Sequence, residues 1–334
     1  MKRTLICITI VLSAVAPVEA RTVELTLYPA KIAEYPQEYL LLPGAGKLTD
    51  ADAVPLYEKA IQSMPKDLEQ EQIQEWLKLP IEQFPQKKAE AAIQKYVESL
   101  RLVARAARCK ECNWPEPTPG KLPGNLAEYR RLAFILELWA RLEISRGQYK
   151  GALAAMQTGF GMARHIGQGP ASIQAMVGTA IGALMCKEVE QFIQRKDSPN
   201  LYRALANLPR PLVDMEGAIE NELANLKNYN VLVRKQFEKQ LKPSHDRVRM
   251  IQRRANTRLN ALQCLEAIRD YAAAHDGQLP ETLSDIVNLD VPKDLLAGKA
   301  FEYSRNAAGA VLQSAVPKDG RPKDAVRYEI ILKK

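Results

Sequence analysis

Residues 126–195 read LAEYRRLAFILELWARLEISRGQYKGALAAMQTGFGMARHIGQGPASIQAMVGTAIGALMCKEVEQFIQR, and the fold turns on how this stretch divides. In its middle third, Tyr149, Ala152, Leu153, Met156, Gly159, Phe160 and Ala163 recur at helical spacing, with Lys150, Gln157 and Arg164 on the other side. That pattern predicts a helix with one buried face. The segment before it, 126–144, is apolar almost all round (Leu132, Phe134, Ile135, Leu136, Leu138, Trp139, Leu142), its polarity confined mainly to Arg130, Glu137 and Arg141. Such a helix is expected between two layers. The third segment, 171–195, spaces Gly178 and Gly182 four apart among Met176, Val177, Ile181, Leu184 and Met185, which predicts close approach of another backbone. The fold class is therefore mainly α, with stacked helical hairpins of a solenoid-like kind.

Upstream, 22–27 alternates apolar and polar residues and predicts a short edge strand before Pro29. A Pro-Gly-Ala-Gly turn at 43–46 leads to Thr49-Asp50-Ala51-Asp52, a candidate helix cap. Helices are predicted over 53–64, 68–77 and 86–108, separated by Pro65, Pro80 and Pro85. The proline-rich segment 109–125 reads as a loop into the central layer.

Downstream, a short helix follows Pro199-Asn200-Leu201-Tyr202 and is closed by Pro209-Arg210-Pro211. From 213 to 241 an apolar stripe (Ile219, Leu223, Leu226, Val233, Phe237, Leu241) runs at a spacing close to 3.5 and includes Asn230, a polar group suited to fixing register. Lys242-Pro243-Ser244 is expected to break it. A second long helix then runs to about His275 with Val248, Ile251, Ala255, Leu259, Leu262, Leu265 and Ile268 inward, making a long antiparallel helical hairpin. Short strands at 301–303, 310–313 and 326–331 complete a small α+β module. The domain reading is a leader at 1–20, a helical-hairpin domain at 21–212, a hairpin stalk at 213–258 and the module at 259–334.

The first twenty residues carry Lys2, Arg3, an apolar run over 5–15, and small or medium residues at Val18 and Ala20, which reads as a cleaved secretory signal. The run is well short of the ~20 residues a spanning helix needs. Export to the periplasm or cell envelope is the expectation, with no transmembrane segment after cleavage. The net charge of +8 suits an anionic partner. Export argues against nucleic acid and favours an envelope protein or an anionic surface.

Cys109, Cys112, Cys186 and Cys264 remain beyond the leader. Cys109-Lys110-Glu111-Cys112 is the one chemically suggestive spacing, fit for a local disulfide, unpaired thiols, redox exchange or half a metal site. Asn113 stands where haem attachment needs a histidine, and His165, His245 and His275 are isolated in sequence, so neither a metal nor a cofactor is expected. His165, just before Gly167, is expected to cap its helix as a cation. Arg247, Arg249, Arg253, Arg254 and Arg258 form the densest part of a basic run over 234–258, a candidate contact for an anionic surface. Walker, dinucleotide, HExxH and GxSxG signatures are absent from the sequence, so no catalytic residue is assigned.

Gly147, Tyr149, Ala152, Met156 and Gly159, with Leu136, Trp139 and Ala140 before them, resemble one tetratricopeptide hairpin, which implies peptide or protein binding in a groove. Residues 259–314, through Tyr271, His275, Gly277, Pro280, Pro292, Asp294, Gly298, Phe301 and Tyr303, resemble the globular end of type II secretion pseudopilins, which implies a secretion component. Ala163-Arg164-His165, Pro199-Asn200-Leu201-Tyr202 and Leu208-Pro209-Arg210-Pro211 together are similar to a group of exported bacterial helical proteins of unknown function, which implies export and no particular activity. The expected function is non-catalytic protein binding or scaffolding; the alternatives are a thiol-disulfide enzyme using Cys109 and Cys112, and a pseudopilin-like component.

Overall fold

A computed structural model describes residues 22–33, 39–65, 70–115, 124–225, 231–316 and 325–334. The expected leader, the predicted register residue Asn230 and the centre of the proline-rich segment lie outside the described residues. The chain is mainly helical with a small sheet region.

The deciding stretch forms α5 (Leu126–Ser145), α6 (Tyr149–Gly167) and α7 (Ser172–Ile193), packed on one another. In α5, Leu132, Ile135, Leu136, Leu138 and Ile144 are all fully buried, as its all-round apolar surface demands. Glu137 and Arg141 are buried with them, and both face partners on α7: Arg141 forks onto Glu188 at 2.8 and 2.6 Å, and Lys187 reaches Glu137 at 2.8 Å. Buried charges survive only when paired and hydrogen-bonded in this way. Gly178 performs the predicted close approach: a Cβ there would stand 2.5 Å from the Ala163 carbonyl oxygen and 2.8 Å from the Gly167 nitrogen of α6.

Against this layer lie α1 (Val54–Gln62), α2 (Gln70–Lys78), α3 (Gln86–Gln94) and α4 (Val97–Ala106). The single helix expected over 86–108 is interrupted at Lys95-Tyr96, where Tyr96 leaves helical geometry (φ −110°, ψ 9°) and buries its ring. Ala89, Ile93, Tyr96, Leu100 and Val103 all face the core on both sides of the break, so the stripe continues where the backbone does not. A second correction concerns Thr49–Asp52, which forms strand β2 rather than a helix cap and pairs in parallel with β3 (Cys109–Glu111). Asp52 nevertheless ends that strand as an acceptor for the Val54 N–H (3.1 Å) and the Asn113 N–H (3.0 Å).

After the short α8 (Tyr202–Ala206), α9 (Met215–Asn225) and α10 (Val231–Ala274) run side by side. Leu212 N–H bonds Asn256, Met215 N–H bonds Gln252, and Arg249 bonds Glu216, a descending register that makes the pair antiparallel. The expected break at Lys242-Pro243-Ser244 does not occur, because α10 continues through Pro243. Proline removes one N–H and crowds the carbonyl four residues back. Here Lys239, Lys242 and Pro243 are all exposed, so water has access to the freed carbonyl. The two helices are thus Met215–Asn225 and Val231–Ala274, and the expected turn at 242–244 lies inside the second.

At 44 residues, α10 is about 66 Å long at ~1.5 Å per residue. Its C-terminal half carries Leu259, Leu262, Leu265 and Ile268 into the core and ends at the four-stranded sheet β1 (Thr22–Leu27), β4 (Glu302–Asn306), β5 (Gly309–Gln313) and β6 (Arg327–Leu332), in spatial order β1-β6-β5-β4. The edge strand read at 22–27 is thus real, and its neighbour is the last strand: β1 pairs in parallel with β6, Thr22 opposite Arg327 through Leu27 opposite Leu332. The two described extremes of the chain close one sheet, whose buried face presents Leu25, Leu27, Ala310, Leu312, Tyr328 and Ile330.

Candidate functional site

The C-terminal turn of α6 gathers the residues that the sequence offered as chemistry. His165 is buried there, its Nδ1 3.0 Å from the Tyr57 hydroxyl of α1, and Tyr57 stacks edge-on to both His165 and Tyr129. Burial first, and the neighbouring Arg164 second, lower the His165 pKa to about 4. It is therefore neutral at pH 7 and shares a hydrogen bond with the Tyr57 hydroxyl through Nδ1. The expected cationic cap is overturned by burial. The helix end is satisfied differently: the Trp114 indole N–H donates to the His165 carbonyl at 2.6 Å, and the Cys112 thiol contacts the same oxygen at 3.6 Å. Gly167 does end the helix, as expected.

Cys109 and Cys112 flank this cluster as free thiols, as are Cys186 and Cys264. Cys109 begins β3, so an extended backbone separates the two by about 10 Å at ~3.3 Å per residue. A disulfide spans ~4.4–6.8 Å between Cα atoms. The local pairing suggested by the spacing thus requires β3 to be remade. Burial raises both thiols above the ordinary cysteine range, with Asp52 adding to the effect. A thiolate nucleophile needs the opposite shift. Among the described residues, no group of three or more His, Cys, Asp or Glu side chains could hold a metal ion.

The basic run divides. Arg247 and Arg253 are exposed on α10. Arg249 is half-buried and bonds Glu216 at 2.7 Å and Asp246 at 3.3 Å; Arg254 is half-buried with an interaction of its own. Arg258 is mostly withdrawn from the surface. Its guanidinium forks onto Glu190 of α7 at 2.9 and 2.8 Å and donates to the Ala183 carbonyl, while the Tyr328 hydroxyl of β6 reaches the same Glu190 at 2.6 Å. This residue locks α7, α10 and the sheet together. Helical spacing from Arg254 to Arg258 gave no sign of that, because Glu190 is 68 residues away.

No family model, curated protein or solved structure matches the chain.

The N-terminal arm of α10 is more exposed than the rest of the helix. None of the described side chains over 231–244 is buried. Lys235, Lys239 and Lys242 are exposed at spacings of four and three, so they share one face, continued by Arg253. At the tip, Leu232 is 82 % exposed and Val231 56 % exposed. No helix among the described residues is long and apolar enough to cross a membrane.

The sequence reading missed a second feature at the same end of α6. A cleft of about 310 Å³ opens where Arg164 and Gly169 meet the 209–213 segment and the first turns of α9. Its signal in the sequence was slight: two Gly/Pro-rich breaks, 167–170 and 209–211, each of which also reads as an ordinary helix end.

Proposed function

We propose that this protein is a non-catalytic, exported scaffold of the periplasm or cell envelope, which holds an acidic partner protein through the N-terminal arm of α10. The observation that carries this reading is the arm itself: a projecting helix with Lys235, Lys239 and Lys242 on one face and Leu232 bare at its tip. Long helices normally bury one face along their length. An arm that leaves every described side chain over 231–244 unburied gains that burial from something else. The cations steer an anionic surface toward it, and the two aliphatics supply apolar contact on arrival.

In this reading α5, α6 and α7 are stacked solenoid-like hairpins, α5 and α6 being the tetratricopeptide-like pair, and they serve as the rigid mount. The pseudopilin-like sheet module closes the far end of α10. Residues 1–20 direct the chain out of the cytoplasm and are removed.

Cross-linking in intact cells, followed by capture and mass spectrometry, tests the proposal. A dominant envelope partner recovered with the native chain and lost with Lys235→Glu/Lys239→Glu/Lys242→Glu is the expected result. Equal recovery by both forms overturns it, and a mature chain that still carries residues 1–20 overturns the export part.

A further inference from the structure

The cleft beside α6 has the chemistry of a small carboxylate site. Its walls are Pro209, Pro211, Leu212 and Val213 on one side and Ala218 on α9, an apolar slot with a polar mouth of Gln168 and Asn221. Two charged residues line it, Arg164 and Asp214. Asp214 is already committed: one carboxylate oxygen accepts the N–H groups of Glu216 and Gly217 at 3.1 and 3.2 Å, capping α9. Arg164 has no such engagement. It is half-buried, yet among the described residues its side chain makes no hydrogen bond or ion pair.

That sets Arg164 apart within this molecule. Of the other part-buried arginines, Arg131, Arg195, Arg210, Arg249, Arg258 and Arg327 hydrogen-bond within the chain, and Arg234 and Arg254 each have an interaction of their own. An arginine that lines a cleft, is partly removed from water and carries five donors is complementary to a planar anion. The volume is at the small end of ligand sites, ~300–1,000 Å³. The apolar walls favour a carboxylate on an aliphatic body over a phosphate, whose three oxygens need donors on more than one side.

We propose that this cleft binds a small aliphatic carboxylate, with Arg164 taking the carboxylate and Pro209, Pro211 and Leu212 the aliphatic body. Both a free carboxylic acid and the C-terminal residue of a peptide carry that chemistry. The site is independent of the α10 arm.

Calorimetric titration of the purified protein tests it with three probes: N-acetyl-alanyl-leucine as the free acid, the same dipeptide as its amide, and 4-methylpentanoate. Saturable binding of the acid, at least about tenfold tighter than the amide, is expected, because the charge-assisted fork is lost with the amide. Arg164→Gln erases that preference, and Arg164→Lys, which keeps the charge, retains part of it. Asn221→Trp at the exposed rim blocks the cleft without touching Arg164 and abolishes binding. Circular dichroism melts establish that each variant is folded. Preference for 4-methylpentanoate identifies a free acid as the ligand; preference for the dipeptide acid identifies a chain terminus. Equal binding of acid and amide, no saturable binding of either acid, or an Arg164→Gln variant that still prefers the acid overturns the proposal.

Discussion

Two regions of this molecule treat arginine and lysine in opposite ways. In the interior, Arg141 and Arg258 are each held by both oxygens of a glutamate on α7, with Lys187 and Tyr328 completing the two clusters. On the α10 arm, Lys235, Lys239 and Lys242 stand in water. The interior pairs are not simply extra stability: desolvating two ions offsets much of their attraction, and what the pairing secures is which helix faces which. Among the described residues the three arm lysines have no ion-pair partner, which is why the proposed function assigns them to an outside partner. A cation's role here is set by whether an acid from elsewhere in the chain reaches it.

The comparison is broken most sharply by removing one interior acid. Glu188→Ala strands Arg141 in the core and is expected to destabilise the fold by about 3–5 kcal/mol in urea unfolding. Replacing the pair together, Arg141→Met with Glu188→Leu, should recover most of that loss. A double variant no better than the single one would mean that the charges themselves hold the helices.

Titration sharpens it next. The folded pKa of His165 is lowered to about 4. Stability from keeping it neutral is therefore full above its unfolded pKa of ~6.5 and is lost as pH falls toward 4, by up to about 3 kcal/mol. His165→Gln should flatten that acid limb of the stability curve.

Glu137 has the opposite sign. Burial, opposed chiefly by Lys187, pushes its folded pKa up to about 7. Its contribution is full below the unfolded value of ~4.3 and fades as pH rises through 7, by up to about 4 kcal/mol. Glu137→Gln should remove this fall; a slope unchanged by the substitution would place the proton elsewhere.

The smallest expected effect on folding is on the arm. Lys239→Ala should move stability by no more than about 0.5 kcal/mol, in contrast to Glu188→Ala. A larger loss would show that the arm is braced by the rest of the chain.

The three central helices were legible because their apolar residues repeat at the helical period over 19 to 22 residues each. Periodicity failed at Tyr96, where two helices share one buried face across a break, and the reading of proline as a helix breaker failed at Pro243, where the helix continues. The candidate site was legible only as residue types. Cys109, Cys112 and His165 do meet, but the meeting buries them and shifts all three away from reactivity.

The sequence alone determined the mainly helical class, the edge strand at its start and the close contact at Gly178, because each is written in local spacing or in the absence of a side chain. Tertiary structure decided that β1 closes the sheet with β6, that Arg258 is a clamp while Arg253 is free, and that Arg164 lines a cleft without a partner. Each of these depends on groups tens to hundreds of residues apart, and no local pattern encodes which distant acid, carbonyl or strand edge will arrive.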